Sequence, residues 1–216
     1  MDFEAARANM IDQQIRPWNV LDLQTLNALE SVRREDFVPE DYRNLAFADV
    51  KIPLGDGEVM LEPKVSARMM ESLQLSTNDR VLEVGTGTGY LTAVLSQVCA
   101  HVTSVEINPA LLEQARRNLG MAGLENVALE QGDAHDGWGT EGAYDAIVVN
   151  GSMARISDGL IAGLAKDGRL VGIEGHSPAM RVVLYQRTDG GMTHRSLFET
   201  EAPRLKNAED PPEFEF

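Results

Sequence analysis

Several features are rare or missing in this sequence, and each absence excludes a class of protein. There is one cysteine, Cys99, so neither an intramolecular disulfide nor a cysteine-based metal cluster can form, and we expect a buried thiol. No apolar run reaches membrane-spanning length, the N-terminus lacks a signal-peptide pattern, and the four histidines do not have metal-ligand spacing. We therefore predict a cytoplasmic protein with no membrane partner and no metal.

Basic residues are scarce as well. The chain has 19 lysines and arginines against 34 aspartates and glutamates, which gives a formal net charge of −15. Such a field repels the phosphate backbones of DNA and RNA, so we expect no nucleic-acid partner, whereas a small cationic or a protein substrate stays open. With 216 residues, of which 43% are hydrophobic, the chain is long enough for one packed α/β domain.

The most informative stretch is R-V-L-E-V-G-T-G-T-G-Y at residues 80–90. A short apolar run typical of a buried parallel strand leads into Gly85, Gly87 and Gly89, and an amphipathic helix follows. Glycine permits a tight turn and lets backbone N–H groups approach a ligand that a Cβ would exclude. The i, i+2, i+4 spacing differs from the dinucleotide fingerprint G-x-G-x-x-G. With Glu83 before it, the turn resembles motif I of the S-adenosylmethionine-dependent methyltransferases, whose cofactor is cationic and lacks a pyrophosphate.

Strands and helices alternate from Asp79 onward. After the strand that precedes the glycines, four strands are predicted at 101–106, 127–130, 144–149 and 169–173. Two later strands, at 180–186 and 194–200, are expected to be antiparallel because the segment between them is too short for a crossover. This alternation predicts an α/β fold with a doubly wound, mostly parallel sheet of the Rossmann-like type.

The residues before the sheet are predicted to form an N-terminal helical extension. One helix is expected within residues 2–16, a second begins after the capping residue Asp22, and a third begins at Pro63. Between the last two lies a long ordered loop, punctuated by proline and glycine, with room for a short hairpin. At the other end, the acidic tail is expected to be loose unless Phe214 and Phe216 anchor it.

Polar residues follow the carboxyl ends of the predicted parallel strands, which is where ligands of such sheets bind. Glu106 comes 21 residues after Gly85, a separation at which a carboxylate can accept from both hydroxyls of a ribose. Asp133 can accept from an adenine amine, and the backbone N–H of Ala134 can donate to a ring nitrogen. With Asn150 after the fourth strand, the arrangement predicts S-adenosylmethionine as cofactor. The candidate cofactor-binding residues are Glu83, Gly85, Thr86, Gly87, Gly89, Glu106, Asp133, Ala134 and Asn150.

Motifs spread between residues 10 and 175 resemble the protein-L-isoaspartate O-methyltransferase family. They are V-R-R-E-D-F-V-P at 32–39, A-F-A-D at 46–49, I-P-L-G-D-G-E at 52–58, the glycine turn, N-V-A-L-E-Q-G-D-A-H-D-G-W at 126–138 and D-G-R-L-V at 167–171. The resemblance implies a class I methyltransferase fold, S-adenosylmethionine as donor, a protein or peptide substrate, and repair of isoaspartyl residues by carboxyl methylation.

The chain has no internal repeat and no low-complexity segment, so a single domain with a helical N-terminal extension is predicted. With the resemblance, this is a methyltransferase domain, residues 1–216, in which the extension at 1–78 contributes to the acceptor site. Residues 79–200 then form the cofactor-binding core, and residues 201–216 form the acidic tail.

The chain departs from the family pattern at the acceptor site. Family members carry G-Q-T-x-S-Q-P, whereas residues 57–63 read G-E-V-M-L-E-P, so Leu61 takes the hydroxyl position and Glu62 a glutamine position. Leucine cannot donate a hydrogen bond to an incoming carboxylate. Two carboxylates about 4 Å apart repel by roughly 4 kcal/mol at an effective dielectric constant of about 20. Leu61 and Glu62 are thus the candidate catalytic positions, and weak isoaspartyl activity is expected, which Leu61→Ser and Glu62→Gln should raise only in combination.

Three hypotheses remain open from the sequence. The first is a methyltransferase of this family that acts on a protein or peptide carboxyl. The second is an enzyme on the same scaffold with a neutral or cationic acceptor, for which Glu58 or Glu62 could serve as the base. The third is a non-catalytic module that retains the cofactor pocket. The oligomeric state is not determined by any of these patterns.

Overall fold

The computed structural model describes residues 2–208. Its strands are β1 (Ile52–Gly55), β2 (Glu58–Met60), β3 (Arg80–Val84), β4 (His101–Glu106), β5 (Val127–Gln131), β6 (Tyr144–Met153), β7 (Leu164–His176), β8 (Ala179–Thr188) and β9 (Gly191–Thr200). Its α-helices are α1 (Phe3–Met10), α2 (Leu23–Ser31), α3 (Pro63–Ser72), α4 (Tyr90–Ser96), α5 (Pro109–Ala122) and α6 (Asp158–Ala162).

Seven strands form the main sheet in the order β5-β4-β3-β6-β7-β8-β9. Neighbours from β5 to β7 are parallel, whereas β8 pairs antiparallel with both β7 and β9. Only residues 189–190 join β8 to β9, a length that suits a hairpin and not a crossover. The predicted doubly wound, mostly parallel sheet is confirmed. The order reverses between β3 and β6, which opens a crevice at the carboxyl ends of the central strands.

Alternate residues of the central strands face opposite apolar layers. Val81 and Val148 pack in the layer that contains the N-terminal helices, whereas Leu82 and Ile147 pack in the layer that contains α6. Burial on both faces explains why these strands read as continuous apolar runs. Cys99 is buried, as predicted, and burial raises its pKa to about 12. Within residues 2–208, no helix has both the length and the apolar composition needed to cross a membrane.

The extension before the sheet is helical, with an irregular first segment. The helix predicted within residues 2–16 begins as α1 and continues as a π-turn at Ile11–Ile15 and a 3₁₀ turn at Arg16–Trp18. The proline in that last turn removes a backbone donor, and the helical segment ends there. Asp22 caps α2 as predicted, because its carboxylate accepts a hydrogen bond from the Thr25 amide at 2.7 Å.

The loop between α2 and α3 contains the expected hairpin, formed by β1 and β2. Gly55, Asp56 and Gly57 all have positive φ in its turn, which explains the two glycines. β2 leads directly into α3, where Pro63 occupies the first turn as predicted. The hairpin therefore brings residues 58–61 to the crevice of the sheet.

The C-terminal half differs from the sequence expectations in two respects. β6 and β7 are longer than the strands predicted at 144–149 and 169–173. Their pairing also has register shifts, which the sequence pattern does not predict. The start of the tail is also ordered: the Ser152 amide donates to Pro203 O at 2.8 Å, and the Leu205 amide donates to Ser152 O at 3.0 Å. These bonds explain why residues 201–208 are held, whereas Phe214 and Phe216 lie outside the described residues.

Candidate active site

A cleft of about 880 Å³, including its open mouth, lies beyond the carboxyl ends of β3, β4 and β6. The β1–β2 hairpin and residues 205–206 form its other walls. Of the predicted site residues, those that line it are Leu61, Gly85, Thr86, Gly87, Glu106, Asp133, Ala134 and Asn150. The structure places Glu62, Glu83 and Gly89 outside this lining.

Two residues of the glycine turn, Gly85 and Gly87, line the cleft. Gly85 and Gly87 have φ values of +88° and +56°, conformations that L side chains rarely adopt. Gly89, at φ +86°, has a different role, because a Cβ there would lie 3.0 Å from Leu119 Cδ1. The first two glycines border the cleft, and the third lets α4 pack closely against α5.

Glu106 has the geometry expected of a ribose-binding carboxylate. Its Oε2 accepts from the Gly87 amide at 2.9 Å, and its Oε1 accepts from the Asn108 amide at 2.9 Å. Each carboxylate oxygen retains a second lone pair, so both can still accept from ligand hydroxyls. Burial raises the pKa of Glu106, while these backbone hydrogen bonds oppose that change. The carboxylate is therefore fixed in orientation beside the glycine turn.

Glu83 lies beneath the cleft, with no exposed surface. Its Oε2 accepts from the hydroxyls of Thr92 and Ser104, and its Oε1 accepts from Asn150 Nδ2 at 2.8 Å. The same Asn150 nitrogen donates to Gly85 O at 2.9 Å. Burial raises the pKa of Glu83 to about 7, although the three hydrogen bonds oppose the change. Glu83 thus orients Asn150 and the glycine turn, and Asn150 is the group that faces the cleft.

Asp133 borders the cleft with both carboxylate oxygens already hydrogen-bonded. Oδ2 accepts from Asn207 Nδ2 at 2.7 Å, and Oδ1 lies 2.8 Å from His135 Nδ1. Burial alone would raise the pKa of Asp133, but the hydrogen bonds from Asn207 and His135 hold it below its usual range. Asp133 therefore stays an ionised acceptor at neutral pH, as an adenine amine requires.

The side of the cleft that the β1–β2 hairpin forms is mostly apolar. Leu54, Val59, Met60 and Leu61 line it together with Arg34 and Tyr90. Glu58 also lines it, and its Oε1 lies 3.5 Å from Lys206 Nζ. Glu62 instead lies at the N-cap of α3, outside the lining, with Oε2 buried and without a hydrogen-bond partner. The acceptor-site acid that faces the cleft is therefore Glu58, whose charge Lys206 offsets.

Sequence reasoning missed three residues of this side. Arg34 lies within the V-R-R-E-D-F-V-P motif, but the motif does not indicate that its side chain is fully buried. Tyr90 follows the glycine turn and was read only as the start of a helix. No sequence pattern indicates that Lys206 lines the cleft, because its position there depends on hydrogen bonds between the tail and β6.

No metal centre is indicated within residues 2–208. Their coordinates hold no group of three or more His, Cys, Asp and Glu side chains arranged to bind an ion.

Comparison with known proteins points to one family. Residues 5–200 match the family model described as Protein-L-isoaspartate(D-aspartate) O-methyltransferase. A protein-L-isoaspartate O-methyltransferase 1 from Rhodopseudomonas palustris is 41% identical over 187 residues, which cover 86% of this chain and 76% of that protein. A protein-L-isoaspartate O-methyltransferase from Myxococcus xanthus is 43% identical over 152 residues, which cover 70% of this chain and 72% of that protein.

Solved structures give the same result. A protein-L-isoaspartate O-methyltransferase superposes with a TM-score of 0.80 at 25% identity. The match covers 95% of this chain and 66% of the chain of that structure. A Plasmodium falciparum protein assigned as a β-aspartate methyltransferase, crystallised with S-adenosyl-L-homocysteine, superposes with a TM-score of 0.78, covering 95% of this chain and 99% of its own. At 18% identity, that second likeness shows the fold alone.

Proposed function

The chain belongs to the protein-L-isoaspartate(D-aspartate) O-methyltransferase family, and from this premise we propose that it methylates a carboxylate of a protein or peptide, using S-adenosylmethionine. The observation that carries the proposal is that two different sets of residues line a single cleft. One set is the glycine turn with Glu106 and Asp133, and the other is an apolar wall with the buried Arg34.

The first set of residues fits S-adenosylmethionine. Glu106 is held with free lone pairs toward two ribose hydroxyls, and Asp133 can accept from the adenine amine. Gly85 and Gly87 have positive φ beside the cleft, a conformation in which glycine lets the backbone of the turn approach a ligand closely. The acidic surroundings suit a cationic ligand and would repel a pyrophosphate.

Methyl transfer in such a site needs alignment more than acid–base catalysis. When bound, the cofactor would supply a methyl group on a sulfonium for an in-line displacement, in which the bond to the acceptor oxygen forms as the carbon–sulfur bond breaks and S-adenosylhomocysteine leaves. A carboxylate is already ionised at neutral pH, so no general base is required. The protein contributes by holding the acceptor oxygen at the reacting carbon and by excluding water. Leu54, Met60 and Leu61 provide the apolar surface for this purpose.

A second candidate is a methyltransferase with a hydroxyl or amine acceptor. The observation in its favour is Glu58, a carboxylate that lines the cleft and could remove a proton from such an acceptor. Its Oε1 already lies 3.5 Å from Lys206 Nζ, so an acceptor that used this carboxylate would compete with the ion pair. We therefore rank this candidate second.

A methyl-transfer assay separates the two candidates. The wild-type protein is incubated with methyl-labelled cofactor and three peptides of one sequence, carrying isoaspartate, aspartate or asparagine at the same position. Carboxyl methylation predicts label in the isoaspartyl peptide that mild base releases as methanol. Base-stable label, or equal label in the asparagine peptide, would favour the second candidate and contradict the first.

A further inference from the structure

Arg34 is a fully buried cation whose hydrogen bonds go to neutral groups. Its Nε donates to Ala46 O at 2.8 Å, and its Nη2 donates to Leu61 O at 2.9 Å. Its guanidinium carbon lies 4.6 Å from the centre of the Tyr90 ring. Nη1 is buried and has no hydrogen-bond partner, and no carboxylate of residues 2–208 forms an ion pair with this side chain. Nη1, which carries two N–H donors, is thus left without a hydrogen bond.

A buried charge without a counter-charge is strongly unfavourable unless a ligand completes its surroundings. Burial lowers the pKa of Arg34, while Tyr90 and Glu62 oppose the change, and arginine keeps its proton at neutral pH. The other cation on this side, Lys206, is already offset by Glu58. Within residues 2–208 Arg34 is therefore a cation that lines the cleft and forms no ion pair, although Glu62 lies near enough to favour its charged form.

We infer that Arg34 binds the acceptor carboxylate, through Nη1, in the role that a hydroxyl at position 61 would otherwise fill. The inference rests on the proposed function and names the group that recognises its substrate. Nη2 donates to the Leu61 carbonyl at 2.9 Å, so the guanidinium is anchored to the residue that takes the hydroxyl position, and both residues line the cleft. A carboxylate held there by one oxygen has its second oxygen free to attack the methyl carbon. Arg34 also contacts Tyr90 of α4, which links the acceptor side to the glycine turn.

The test measures recognition of the carboxylate separately from turnover. Calorimetry is performed with saturating S-adenosylhomocysteine and two peptides that differ in one group, isoaspartate or its neutral carboxamide. Wild type should prefer the carboxylate by about ten- to a hundredfold, as expected for a buried charge-assisted hydrogen bond. Arg34→Met should bind both peptides equally while keeping its affinity for S-adenosylhomocysteine, and Arg34→Lys should keep part of the preference.

Arg33→Met is the matched control, because it removes the same charge from the neighbouring position. The Arg33 side chain is 61% exposed and pairs with Glu35 and Asp36 outside the cleft. The Arg33→Met variant should retain the wild-type preference for the peptide that carries the carboxylate. An unchanged preference in Arg34→Met would overturn the inference, as would a wild type that does not distinguish the two peptides. The comparison of the two peptides on the wild-type protein needs no variant, so it tests the inference even if Arg34→Met does not fold.

The outcome also separates this inference from the proposed reaction. Preference for the carboxylate without methyl transfer would support the anion site and contradict the proposed function. Methyl transfer to the isoaspartyl peptide with the preference intact in Arg34→Met would support the function and overturn the role of Arg34. Equal weakening of both peptides and of S-adenosylhomocysteine in Arg34→Met would indicate a purely structural residue and likewise overturn it.

Discussion

The buried acid Glu83 should make folding stability depend on pH in an unusual direction. Most aspartates and glutamates of folded proteins stabilise the native state as pH rises, because their native pKa is lowered. Glu83 is fully buried, and burial raises its pKa from the ordinary 4.5 to about 7. Between these two pH values the native state binds a proton that the unfolded state has lost. The stabilisation of the native state that protonated Glu83 contributes is therefore fully present below pH 4.5 and is lost as the pH rises through 7.

The size of the effect follows from the two pKa values. Their difference, at about 1.4 kcal/mol per pKa unit, corresponds to about 3 kcal/mol of unfolding free energy. Glu83→Gln removes the titration and keeps the shape of the side chain. Its carboxamide can still accept from Thr92 and Ser104, but its NH₂ would face Asn150 Nδ2, which already donates to Gly85 O. The variant should therefore bind S-adenosylhomocysteine more weakly as well.

The assay is urea denaturation of wild type and Glu83→Gln at a series of pH values from 4 to about 8. The wild-type free energy of unfolding minus that of the variant should fall by about 3 kcal/mol across this range, with the fall concentrated between pH 5 and about 7. Acids common to both proteins cancel in the difference. A difference that is constant with pH would refute the raised pKa and, with it, the assignment of Glu83 as a buried positioning group.

Further expectations concern the two sets of residues that line the cleft. Glu106→Ala should weaken S-adenosylhomocysteine binding by about 1–3 kcal/mol in calorimetry, because two charge-assisted hydrogen bonds to ribose are lost, and unchanged affinity would contradict the ribose assignment. Leu61→Ser should raise isoaspartyl turnover without a second substitution, since Glu62 does not face the cleft. Glu62→Gln is the matched control and should leave turnover near the wild-type value. Lys206→Met should raise the KM for an isoaspartyl peptide about threefold or more, because Glu58 is then left unpaired and repels the acceptor carboxylate. An unchanged KM would mean that Glu58 lies too far from the acceptor to affect its binding.

The parts of the fold that sequence reasoning predicted well are those with local signals. β4 was predicted with the bounds that the structure has, because a short run rich in β-branched residues is followed by the capping pair Asn108 and Pro109. Gly85 and Gly87 were assigned to a ligand-binding turn, and both have positive φ beside the cleft. In each case the residue type and its neighbours in sequence determine the local conformation.

Glu83 shows where local reasoning stops. Its position before the glycine turn predicted a residue that touches the cofactor, yet it lies beneath the cleft and bonds to Thr92 and Ser104. Those hydroxyls come from α4 and β4, and nothing in the spacing of the motif indicates that they converge on this carboxylate. Whether a strand residue faces the ligand or the layer beneath depends on which elements cover each face.

The acceptor side of the cleft depends even more on distant parts of the chain. Arg34 bonds to Leu61 O across 27 residues, and Lys206 reaches Glu58 because the tail returns along β6. The sequence predicted repulsion between an incoming carboxylate and Glu62, whereas the structure puts Glu62 at the N-cap of α3 and places two cations at the cleft. The charge balance of this side could therefore not be derived from residues 57–63 alone.

The most direct test of the central claim is to identify the methylated atom. A single turnover with stoichiometric S-adenosylmethionine and an isoaspartyl peptide is stopped in acid, and tandem mass spectrometry locates the added methyl group. Our account predicts one methyl on the isoaspartyl carboxyl, lost on mild base treatment, at a rate that Leu61→Ser increases. A methyl group found on an amine or hydroxyl, or no transfer while S-adenosylmethionine remains bound, would contradict it.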